Sequence, residues 1–550
     1  MPGLDLARTN AAVSSAGGGP EAIVAERLLL GGRVQGQGVR PALARLAIEL
    51  GLRGWVANAP QGVALQIEGS SGAVARFRAG VPAVLPAGAA LRELEAVRAE
   101  PAGAPDFRIV PSVAAGPLRV AVPLDRAICD ACRAEVEGQL DRRAGYALTS
   151  CAECGPRYSL LRALPYDRAA TTLDSFQQCP TCRREYRDPG DRRFHAQINA
   201  CPACGPEIEL RLAGTGRPER GSAAIRGAVR LLAAGKILAL RGVGGYQLLV
   251  DATSPEAVGR LRERKRRPAK PLAVMVPALA DAEALAWLDA DERAALTDAA
   301  NPIVVVRRRA DATLAANVAP GLDTVGVMLP ATGAHALIAR GCGLPLVVTS
   351  GNHDGEPLEY QPQSAEAALA SVADAWLHHD REVLRPIDDS VVRIIAGRRA
   401  TIRLARGLAP LRLEVPATLP VVALGGHQKA AIALCNGGQA ALGPHVGDLE
   451  SEGTRARYAH QFHALAQLYE ADFTQVAHDL HPEYFTTRWA AELGLPRCAV
   501  QHHHAHVVAG MIEAGWLDRR VLGVAWDGTG YGPDGTIWGG EFLVATVREF

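Results

Sequence analysis

The sequence has no excess of charge of either sign. Its 59 lysine and arginine residues are nearly balanced by 58 aspartate and glutamate residues, which leaves a formal net charge of +1 over 550 residues. A protein that coats nucleic acid or an anionic membrane surface usually carries a strong basic excess. The near-neutral balance argues against both roles for the chain as a whole, so any anion site must be local.

The sequence also lacks long apolar segments. Its opening, MPGLDLARTNAAVSSAGGGP, has neither the basic nor the apolar part of a secretory signal, and no later apolar run approaches the ~20 residues of a membrane span. We therefore expect a cytoplasmic protein with no membrane partner. Residues 1–21 are expected to form a disordered leader.

Cysteine, by contrast, is concentrated in one region. Eight of the 11 cysteines form four CxxC pairs, with 18, 24 and 18 residues between successive pairs. The pairs are Cys129 and Cys132, Cys151 and Cys154, Cys179 and Cys182, and Cys201 and Cys204. Two such pairs complete a tetrahedral site of four cysteines, so the eight thiolates predict two zinc ions with a structural role. The spacing leaves open which pairs share a metal.

Two other uses of these cysteines are less consistent with the pattern. A disulfide framework is typical of small secreted domains, and this chain is large and begins without a secretory signal. A redox dithiol needs one CxxC pair, whereas four copies with a repeated spacing have no evident use in such an enzyme. Zinc remains the prediction that the pattern favours.

Changes in composition along the chain predict several domains. At about 150 residues per domain, the length corresponds to three or four. Residues 22–112 are predicted to form a compact domain, residues 120–206 the cysteine region, and residues 215–412 an α/β domain of helices alternating with short apolar strands. A proline-rich joint ends at Pro420, and residues 420–550 begin a second α/β domain that we expect to be incomplete.

The stretch GGRVQGQGVRP (31–41) is typical of an anion site. Its glycines expose backbone N–H groups, the following helix adds positive potential, and Arg40 offers a fork for two phosphate oxygens. The segments GRVQGQGVR and GWVAN resemble the GxVQGVxFR and GxxxN elements of acylphosphatases, with departures at Gln37 and Val39. The resemblance implies a ferredoxin-like fold in which Arg40 holds the phosphoryl group and Asn58 orients a water. The alternative is an ordinary strand-to-helix turn with a solvated arginine.

The third region combines a basic run with polar strand ends. The segment RERKRRPAKPLAVMV could be a solvated face, but LVVTSGNHDGEPL ends a strand with polar residues, where open α/β sheets bind ligands. These segments resemble the KxR, KP and TSxN elements of the YrdC/Sua5 family, which hold ATP and form an acyl-adenylate. The implied nucleotide-binding residues are Lys265, Arg267, Lys270, Ser350, Asn352, Arg403 and Arg406, with His379 and Arg381 in the same set of segments.

The last region is rich in histidine. His502 and His506 in VQHHHAHVVAG stand at positions i and i+4, so they can share one metal ion on a helix face, although an isolated pair of this kind is often merely solvated. The nearby segments GPHVGDL, HDLHPEY and WDGTGYGPDG add His445, Asp479 and Asp527. Together they resemble Kae1-like domains of the ASKHA type, in which an HxxxH pair binds a metal beside a nucleotide. The resemblance implies a divalent metal held by His502, His506 and Asp527.

The order of these parts resembles that of the HypF family of carbamoyltransferases over about residues 22–550. The implied fold class is multidomain α/β and α+β: a ferredoxin-like acylphosphatase domain, a double four-cysteine zinc module, a YrdC-like α/β domain and a partial ASKHA/Kae1-like domain. The implied activity is hydrolysis of carbamoyl phosphate, activation of the carbamate with ATP and Mg²⁺ as carbamoyl-AMP, and transfer to the C-terminal cysteine of the partner HypE. The resemblance further implies that this product is the source of the cyanide ligands of NiFe hydrogenase.

The sequence departs from the family pattern in a few places. LPATGAH lacks a proline of the family element LPxTPLH, GPHVGDL replaces SQHxGDL, and the family's continuation of the Kae1-like domain is missing. On that basis we expect formation of carbamoyl-adenylate but little transfer to HypE.

Two alternatives to this function remain. A zinc-containing protein for threonylcarbamoyladenosine modification of tRNA is disfavoured by the neutral charge and by the lack of aromatic-basic platforms around the cysteines, so nucleic acid is not an expected partner. The other is a zinc scaffold that only binds nucleotides. Exchange of pyrophosphate into ATP that depends on carbamoyl phosphate would separate the carbamoyltransferase from both.

Overall fold

The computed structural model of the chain describes residues 22–113 and 120–550. The leader expected over residues 1–21 lies outside the described residues. The described residues form four regions, of which the second contains the clustered cysteines. Among these residues no helix is long and apolar enough to cross a membrane.

The first region is a five-stranded sheet with two helices packed against it, the ferredoxin-like arrangement that the sequence predicts. Its elements are β1 (Ile23–Arg33), α1 (Val39–Glu49), β2 (Arg53–Ala59), β3 (Gly62–Ser70), α2 (Ser71–Val84), β4 (Ala90–Ala99) and β5 (Phe107–Ile109). The strand order is β4-β1-β3-β2-β5, and only the β2–β5 pair is parallel. Because α1 begins directly after the glycine loop, Arg40 lies in its first turn.

The cysteine region has little regular structure and consists of two similar halves. Its elements are α3 (Asp130–Glu137), α4 (Pro180–Arg187) and 3-10 turns at Tyr158–Leu160, Arg168–Ala170 and Thr172–Ser175. Cys129 is the N-cap residue of α3 and Cys179 that of α4, where its sulfur also accepts from the Cys182 amide, so Cys132 and Cys182 lie in the first turn of their helices. This short turn brings the two sulfurs of a CxxC pair to the same point.

The third region is built on a mixed twelve-stranded sheet. Its elements are β6 (Ile208–Leu212), β7 (Thr215–Arg220), α5 (Gly221–Ala233), β8 (Leu238–Arg241), β9 (Tyr246–Asp251), α6 (Pro255–Lys265), β10 (Ala273–Met275), α7 (Leu279–Leu285), β11 (Ala286–Trp287), α8 (Ala290–Thr297), β12 (Ile303–Arg308), β13 (Thr324–Met328), α9 (Gly333–Cys342), β14 (Leu346–Ser350), α10 (Pro362–Ala368), β15 (Ala375–His379), β16 (Val391–Ile395) and β17 (Arg398–Arg403). The order is β17-β16-β12-β13-β10-β14-β9-β8-β15-β6-β7, with β11 beside β12. The central strands are almost wholly apolar because both faces of the sheet are covered.

The C-terminal region has a six-stranded sheet and two short strand pairs. Its elements are β18 (Leu411–Glu414), β19 (Val421–Ala423), β20 (Ala433–Asn436), β21 (Gln439–Leu442), α11 (Glu452–Leu468), β22 (Gln475–Asp479), α12 (Phe485–Glu492), β23 (Arg497–Val500), α13 (His502–Ala514), β24 (Val521–Ala525), β25 (Gly530–Tyr531), β26 (Ile537–Trp538) and β27 (Glu541–Ala545). The six-stranded sheet has the order β18-β21-β20-β19-β22-β23, while β24 pairs with β27 and β25 with β26.

The proline-rich joint before Pro420 contains the strand β18. Leu411 pairs with Leu442 of β21, so this sheet already starts within the joint. The prolines at both sides of the short alternating segment LRLE end the strand early but do not prevent it, since an edge strand needs hydrogen bonds on one side only. The sequence indicates a linker here because prolines dominate its composition.

The regions share buried apolar side chains. One continuous cluster contains Phe77 of the first region, Tyr158 of the cysteine region, and Leu424 and Tyr458 of the C-terminal region. The α/β region has two further clusters on the two faces of its sheet. The cysteine region therefore packs between its neighbours as part of their core.

Candidate functional site

The glycine loop between β1 and α1 has the geometry of an anion site. Gly36 and Gly38 have φ angles of 67° and 81°, which other residues rarely adopt, and Gly38 caps the N-terminus of α1. A Cβ at Gly36 would lie 2.6 Å from the side chain of Pro123. Both glycines are thus needed to turn the chain so that Arg40 points into the space beside the loop.

Arg40 and Asn58 meet at one backbone oxygen of the cysteine region. The Arg40 Nη2 atom donates to the carbonyl oxygen of Tyr166 at 3.1 Å, and the Asn58 amide donates to the same oxygen at 2.8 Å. Arg40 Nη2 also forms an ion pair with Asp167 Oδ1 at 2.7 Å. The two residues predicted to act on a phosphoryl group therefore lie together, and the segment 166–167 lies directly against them.

Further residues of the cysteine region complete the walls of this small space. Arg157 donates from Nε to the carbonyl of Gly36 at 2.9 Å, which fixes the glycine loop from outside. His195 also lines the space, and burial together with the charge of Arg40 lowers its pKa to about 4. No sequence motif indicates these contacts, because the residues lie more than a hundred positions from the loop.

The four CxxC pairs form two separate clusters, and the pairing follows chain order. The first contains Cys129, Cys132, Cys151 and Cys154, and the second Cys179, Cys182, Cys201 and Cys204. Neighbouring sulfurs lie 3.5–3.7 Å apart in the first cluster and 3.6–3.8 Å apart in the second. A tetrahedron with Zn–S bonds of ~2.3 Å has edges of ~3.8 Å. The two clusters therefore fit two structural zinc ions, and the question of pairing that the spacing left open is resolved.

Each half of the zinc module also contributes arginines to the other half. Arg142, from the first half of the module, donates to the sulfur of Cys182 at 3.2 Å, while Arg192, from the second half, donates to the sulfur of Cys132 at 3.3 Å. A buried ion pair runs beside each contact, from Arg143 to Glu185 and from Arg193 to Glu135. The contacts place positive charge next to sulfurs that bind metal as thiolates. Hydrogen bonding among the sulfurs lowers the pKa of Cys129 to about 7, and the contact with Cys132 has the largest effect.

The α/β region contains a large cavity that carries several of the predicted site groups. It has a volume of about 340 Å³ and is lined by Arg267, Ser350, Arg403 and Arg406, four of the predicted nucleotide-binding residues. Two residues of the C-terminal region, Lys429 and His445, line it as well. The cavity thus lies between two regions of the chain, which sequence motifs from one region could not indicate.

The other predicted nucleotide-binding residues lie behind or beside this cavity. Lys265 is fully buried, and its Nζ donates to Ser350 O at 2.7 Å and to Asn352 Oδ1 at 2.6 Å. Burial lowers the pKa of Lys265 to about 7. Lys270 is exposed, and its Nζ lies 3.4 Å from Asp354 Oδ1. In this structure Lys265 and Asn352 hold the loop that carries Ser350, and neither they nor Lys270 form part of the cavity wall that the described residues define.

A buried polar network supports the arginines of the cavity. Arg406 Nε donates to Asp389 Oδ1 at 2.8 Å, Gln247 donates to the other oxygen of Asp389, and His335 Nε2 lies 2.8 Å from Gln247 Oε1. His335 is 1% exposed, and burial lowers its pKa to about 4. The network keeps the guanidinium of Arg406 in place at the floor of the cavity. His379 and Arg381 lie outside the wall formed by the described residues.

The third candidate site includes His502 and His506, which lie in the first two turns of α13. His502 Nε2 and His506 Nε2 lie 3.3 Å apart, and both approach Asp527 Oδ2, at 2.9 and 3.0 Å. Two imidazole nitrogens and a carboxylate oxygen form a donor set that suits a divalent first-row metal. The geometry brings all three residues together, although Asp527 follows a different element, β24.

Asp479 orients the first of these histidines. Its Oδ2 lies 2.6 Å from His502 Nδ1, which directs Nε2 of His502 at the shared point. This hydrogen bond, despite partial burial, raises the pKa of His502. A carboxylate behind a metal-binding histidine fixes its ring and tautomer. The motif HDLHPEY indicates acidic and histidine residues near the site but not this role, while His445 of the same set of motifs lies at the cavity of the α/β region instead.

Sequence models of known families match the chain in the order of these regions. An acylphosphatase model matches residues 26–109, a HypF finger model residues 128–161 and 179–211, and a model described as telomere recombination (Sua5, YciO and YrdC) residues 230–405. A HypF Kae1-like domain model matches residues 416–513, and a model of the second subdomain of a carbamoyltransferase Kae1-like domain matches residues 523–550.

Relatives are similar along almost the whole chain. Carbamoyltransferase HypF of Synechocystis sp. is 44% identical over 517 residues, which cover 94% of this chain and 67% of the relative. Carbamoyltransferase HypF of Rhodobacter capsulatus is 43% identical over 535 residues, with 95% and 71% covered. The chain belongs to the HypF carbamoyltransferase family.

Solved structures of HypF proteins have the same fold. A full-length HypF in a phosphate- and nucleotide-bound form superposes with a TM-score of 0.92 at 37% identity, covering 96% of this chain and 70% of that protein. The HypF of T. kodakarensis gives a TM-score of 0.87 at 34% identity, with 94% and 68% covered. The chain thus spans about two thirds of the length of its HypF relatives, and the prediction of a HypF-type multidomain fold is confirmed.

Proposed function

We propose that the chain is a carbamoyltransferase that hydrolyses carbamoyl phosphate, activates the carbamate with ATP and passes the carbamoyl group to the C-terminal cysteine of HypE. The product would serve the synthesis of the cyanide ligands of NiFe hydrogenase. The observation that carries this proposal is the cavity shared by two regions. Arg267 and Arg403 of the α/β region line it together with Lys429 and His445 of the C-terminal region, so a group activated there already faces the region that holds the histidine cluster.

The first reaction would take place at the glycine loop. Arg40 would bind two phosphoryl oxygens, and the amide of Asn58 would orient a water that attacks phosphorus. The P–O bond to the carbamoyl group breaks, and phosphate and carbamate are released. The walls contributed by the zinc module support this assignment, because carbamate decomposes in water and a walled site limits its contact with solvent.

The second reaction would take place in the cavity of about 340 Å³. A carbamate oxygen attacks the α-phosphorus of ATP, pyrophosphate leaves, and carbamoyl-AMP forms. Arg267, Arg403 and Arg406 would stabilise the charge that develops on the phosphates, and Mg²⁺ bound with ATP would add positive charge. Lys265 and Asn352 would act indirectly by holding the loop of Ser350.

The third reaction would use the C-terminal region. A thiolate of the acceptor attacks the carbamoyl carbon, and AMP leaves. His502, His506 and Asp527 would hold a divalent metal, which would supply positive charge beside the leaving phosphate. A cytoplasmic location fits this scheme, since both the acceptor cysteine and the eight clustered cysteines must stay reduced.

Carbamoylation of HypE tests the proposal. The purified chain is incubated with HypE, ATP, Mg²⁺ and carbamoyl phosphate, and the C-terminal peptide of HypE is examined by mass spectrometry. We expect a small yield of carbamoyl adduct on the cysteine, which requires all three small molecules and falls in Lys429→Ala, but not in Lys236→Ala, which alters an exposed lysine. An arm with tRNA, threonine and bicarbonate tests the alternative. Absence of the adduct, or a threonylcarbamoyl product on tRNA, would overturn the proposal.

A further inference from the structure

The anion site at the glycine loop already contains an anion from the chain itself. Asp167 Oδ1 lies 2.7 Å from Arg40 Nη2, and its side chain is 30% exposed. Arg40 in turn is 7% exposed, so its guanidinium has little contact with water. A carboxylate paired with this arginine is in the position where the oxygens of a bound phosphate would be expected.

The segment that carries this carboxylate is held firmly from several directions. The Tyr166 amide donates to Gln35 Oε1 at 2.9 Å, and the hydroxyl of Ser112 donates to the second oxygen of Asp167. The carbonyl of Tyr166 accepts from both Arg40 and Asn58. The segment 166–167 is therefore bound to the glycine loop and to both predicted catalytic residues.

The space left beside Arg40 is too small for a substrate. Its volume is about 20 Å³, enough for about one water molecule. Carbamoyl phosphate, with a phosphate group and a planar carbamoyl group, is several times larger than a water. Its entry thus requires segment 166–167 to move away from Arg40 and Asn58.

We propose that Asp167 is an internal competitor for the phosphate site: its carboxylate holds Arg40 until a phosphoanion replaces it. The inference rests on the proposed function, in which Arg40 binds a phosphoryl group. The exchange is an anion for an anion on one guanidinium, so no charge is left buried without a partner at either stage. A phosphate offers three oxygens and more negative charge than a carboxylate, and the N-terminus of α1 favours it further.

The exchange would couple substrate binding to the zinc module. Asp167 lies between the first and second four-cysteine clusters in sequence, so its release moves a segment that belongs to the module. Anions with less negative charge than a phosphoanion would fail to displace the carboxylate of Asp167. The site would stay closed to bulk water until substrate arrives, which suits a reaction with an unstable product.

Titration with inorganic phosphate tests this inference. The probe is added to the full chain, and binding is measured by isothermal titration calorimetry for the unaltered protein, Asp167→Asn and Asp174→Asn. Asparagine keeps the shape and the contact with Ser112 but removes the competing charge. We expect Asp167→Asn to bind phosphate about tenfold more tightly, and the KM for carbamoyl phosphate to fall in parallel. Asp174 is an exposed carboxylate of the same module, so Asp174→Asn is the matched control and should bind as the unaltered protein does.

A second variant guards against misfolding. Ser112→Ala leaves the charge of Asp167 in place but removes its anchor, so it should also tighten phosphate binding, though by less. Unchanged or weaker phosphate binding in Asp167→Asn, with two zinc ions retained, would overturn the inference. Weaker binding of carbamoyl phosphate alone would also overturn it, because Asp167 would then be a contact for the carbamoyl group. Phosphate binding is measured without ATP or HypE, so its outcome is independent of whether carbamoyl transfer is found.

Discussion

The guanidinium of Arg192 lies 3.3 Å from the sulfur of Cys132, a residue of the other half of the zinc module. Arg142 and Cys182 repeat this contact in the opposite direction, at 3.2 Å. Hydrogen bonds from outside the ligand set tune metal affinity, and here each set depends on the half that binds the other metal. The two zinc sites are linked by these reciprocal contacts.

Substitution of Arg192 should therefore weaken the zinc site of the first half, whose Cys132 it contacts, more than the zinc site of its own half. We expect Arg192→Ala to lower zinc affinity at the Cys129–Cys154 cluster by about 10–100-fold, because it removes positive charge beside a thiolate. The measurement is the rate of zinc release to a chelator, combined with alkylation to identify which cysteines become reactive. Arg183→Ala, at an exposed position of α4, serves as the control. Faster release from the cluster of Cys179 would contradict the linkage.

Arg40 should be required for hydrolysis of carbamoyl phosphate but not for ATP binding. We expect Arg40→Ala to reduce phosphate release by about 100-fold or more, since the charge developing in the transition state loses its partner. Arg40→Lys should rescue little, because lysine keeps the charge but not the planar fork. Phosphate release and binding of a fluorescent ATP analogue are measured on the same preparations, with Arg53→Ala as an exposed control. Normal phosphate release by Arg40→Ala would show that the glycine loop has another role.

Asp479 should matter for metal binding at the histidine cluster. Its carboxylate orients His502 at 2.6 Å, and an amide is a weaker acceptor. We expect Asp479→Asn to lower the affinity for a third divalent ion, beyond the two zinc equivalents, by about tenfold. Equilibrium dialysis with cobalt measures it, and Asp472→Asn at an exposed position is the control. Equal affinity in both variants would mean that His502 needs no such support.

The stability of the α/β region should fall in acid because of His335. Its pKa is lowered to about 4 in the folded protein, so between about pH 6.5 and 4 the unfolded chain binds a proton that the folded chain does not. The resulting loss is about 2 kcal/mol at pH 5 relative to pH 8. The free energy of unfolding is measured at both pH values. Its decrease in acid should be smaller by this amount in His335→Gln. His463→Gln alters an exposed histidine and should behave as the unaltered protein does. An unchanged pH dependence in His335→Gln would show that the proton binds elsewhere.

Local patterns in the sequence predicted local geometry well. The CxxC spacing predicted two four-cysteine clusters, and the i, i+4 spacing placed His502 and His506 side by side, because in both cases the backbone between the ligands is a single turn. The same holds for Arg40, which follows the glycine turn directly at the start of α1.

Contacts between regions could not be predicted in this way. Arg40 contacts Tyr166, which lies 126 positions further along the chain, and the neighbouring Asp167. Lys429 of the C-terminal region lines the cavity of the α/β region. Such contacts depend on how finished domains pack, which no short motif encodes. Lys265 shows how a contact within one region also goes unpredicted: its motif predicts a nucleotide contact, and in this structure its ammonium donates to Ser350 and Asn352.

Exchange of labelled pyrophosphate into ATP reports whether the chain activates carbamate that it releases from carbamoyl phosphate. The chain is incubated with ATP, Mg²⁺ and labelled pyrophosphate, with and without carbamoyl phosphate. We expect exchange that requires carbamoyl phosphate and is lost both in Arg40→Ala, which should fail to release carbamate, and in Arg267→Ala, which should fail to activate it. Exchange that proceeds equally without carbamoyl phosphate, or that persists in Arg40→Ala, would show that the chain does not activate carbamate released at the glycine loop.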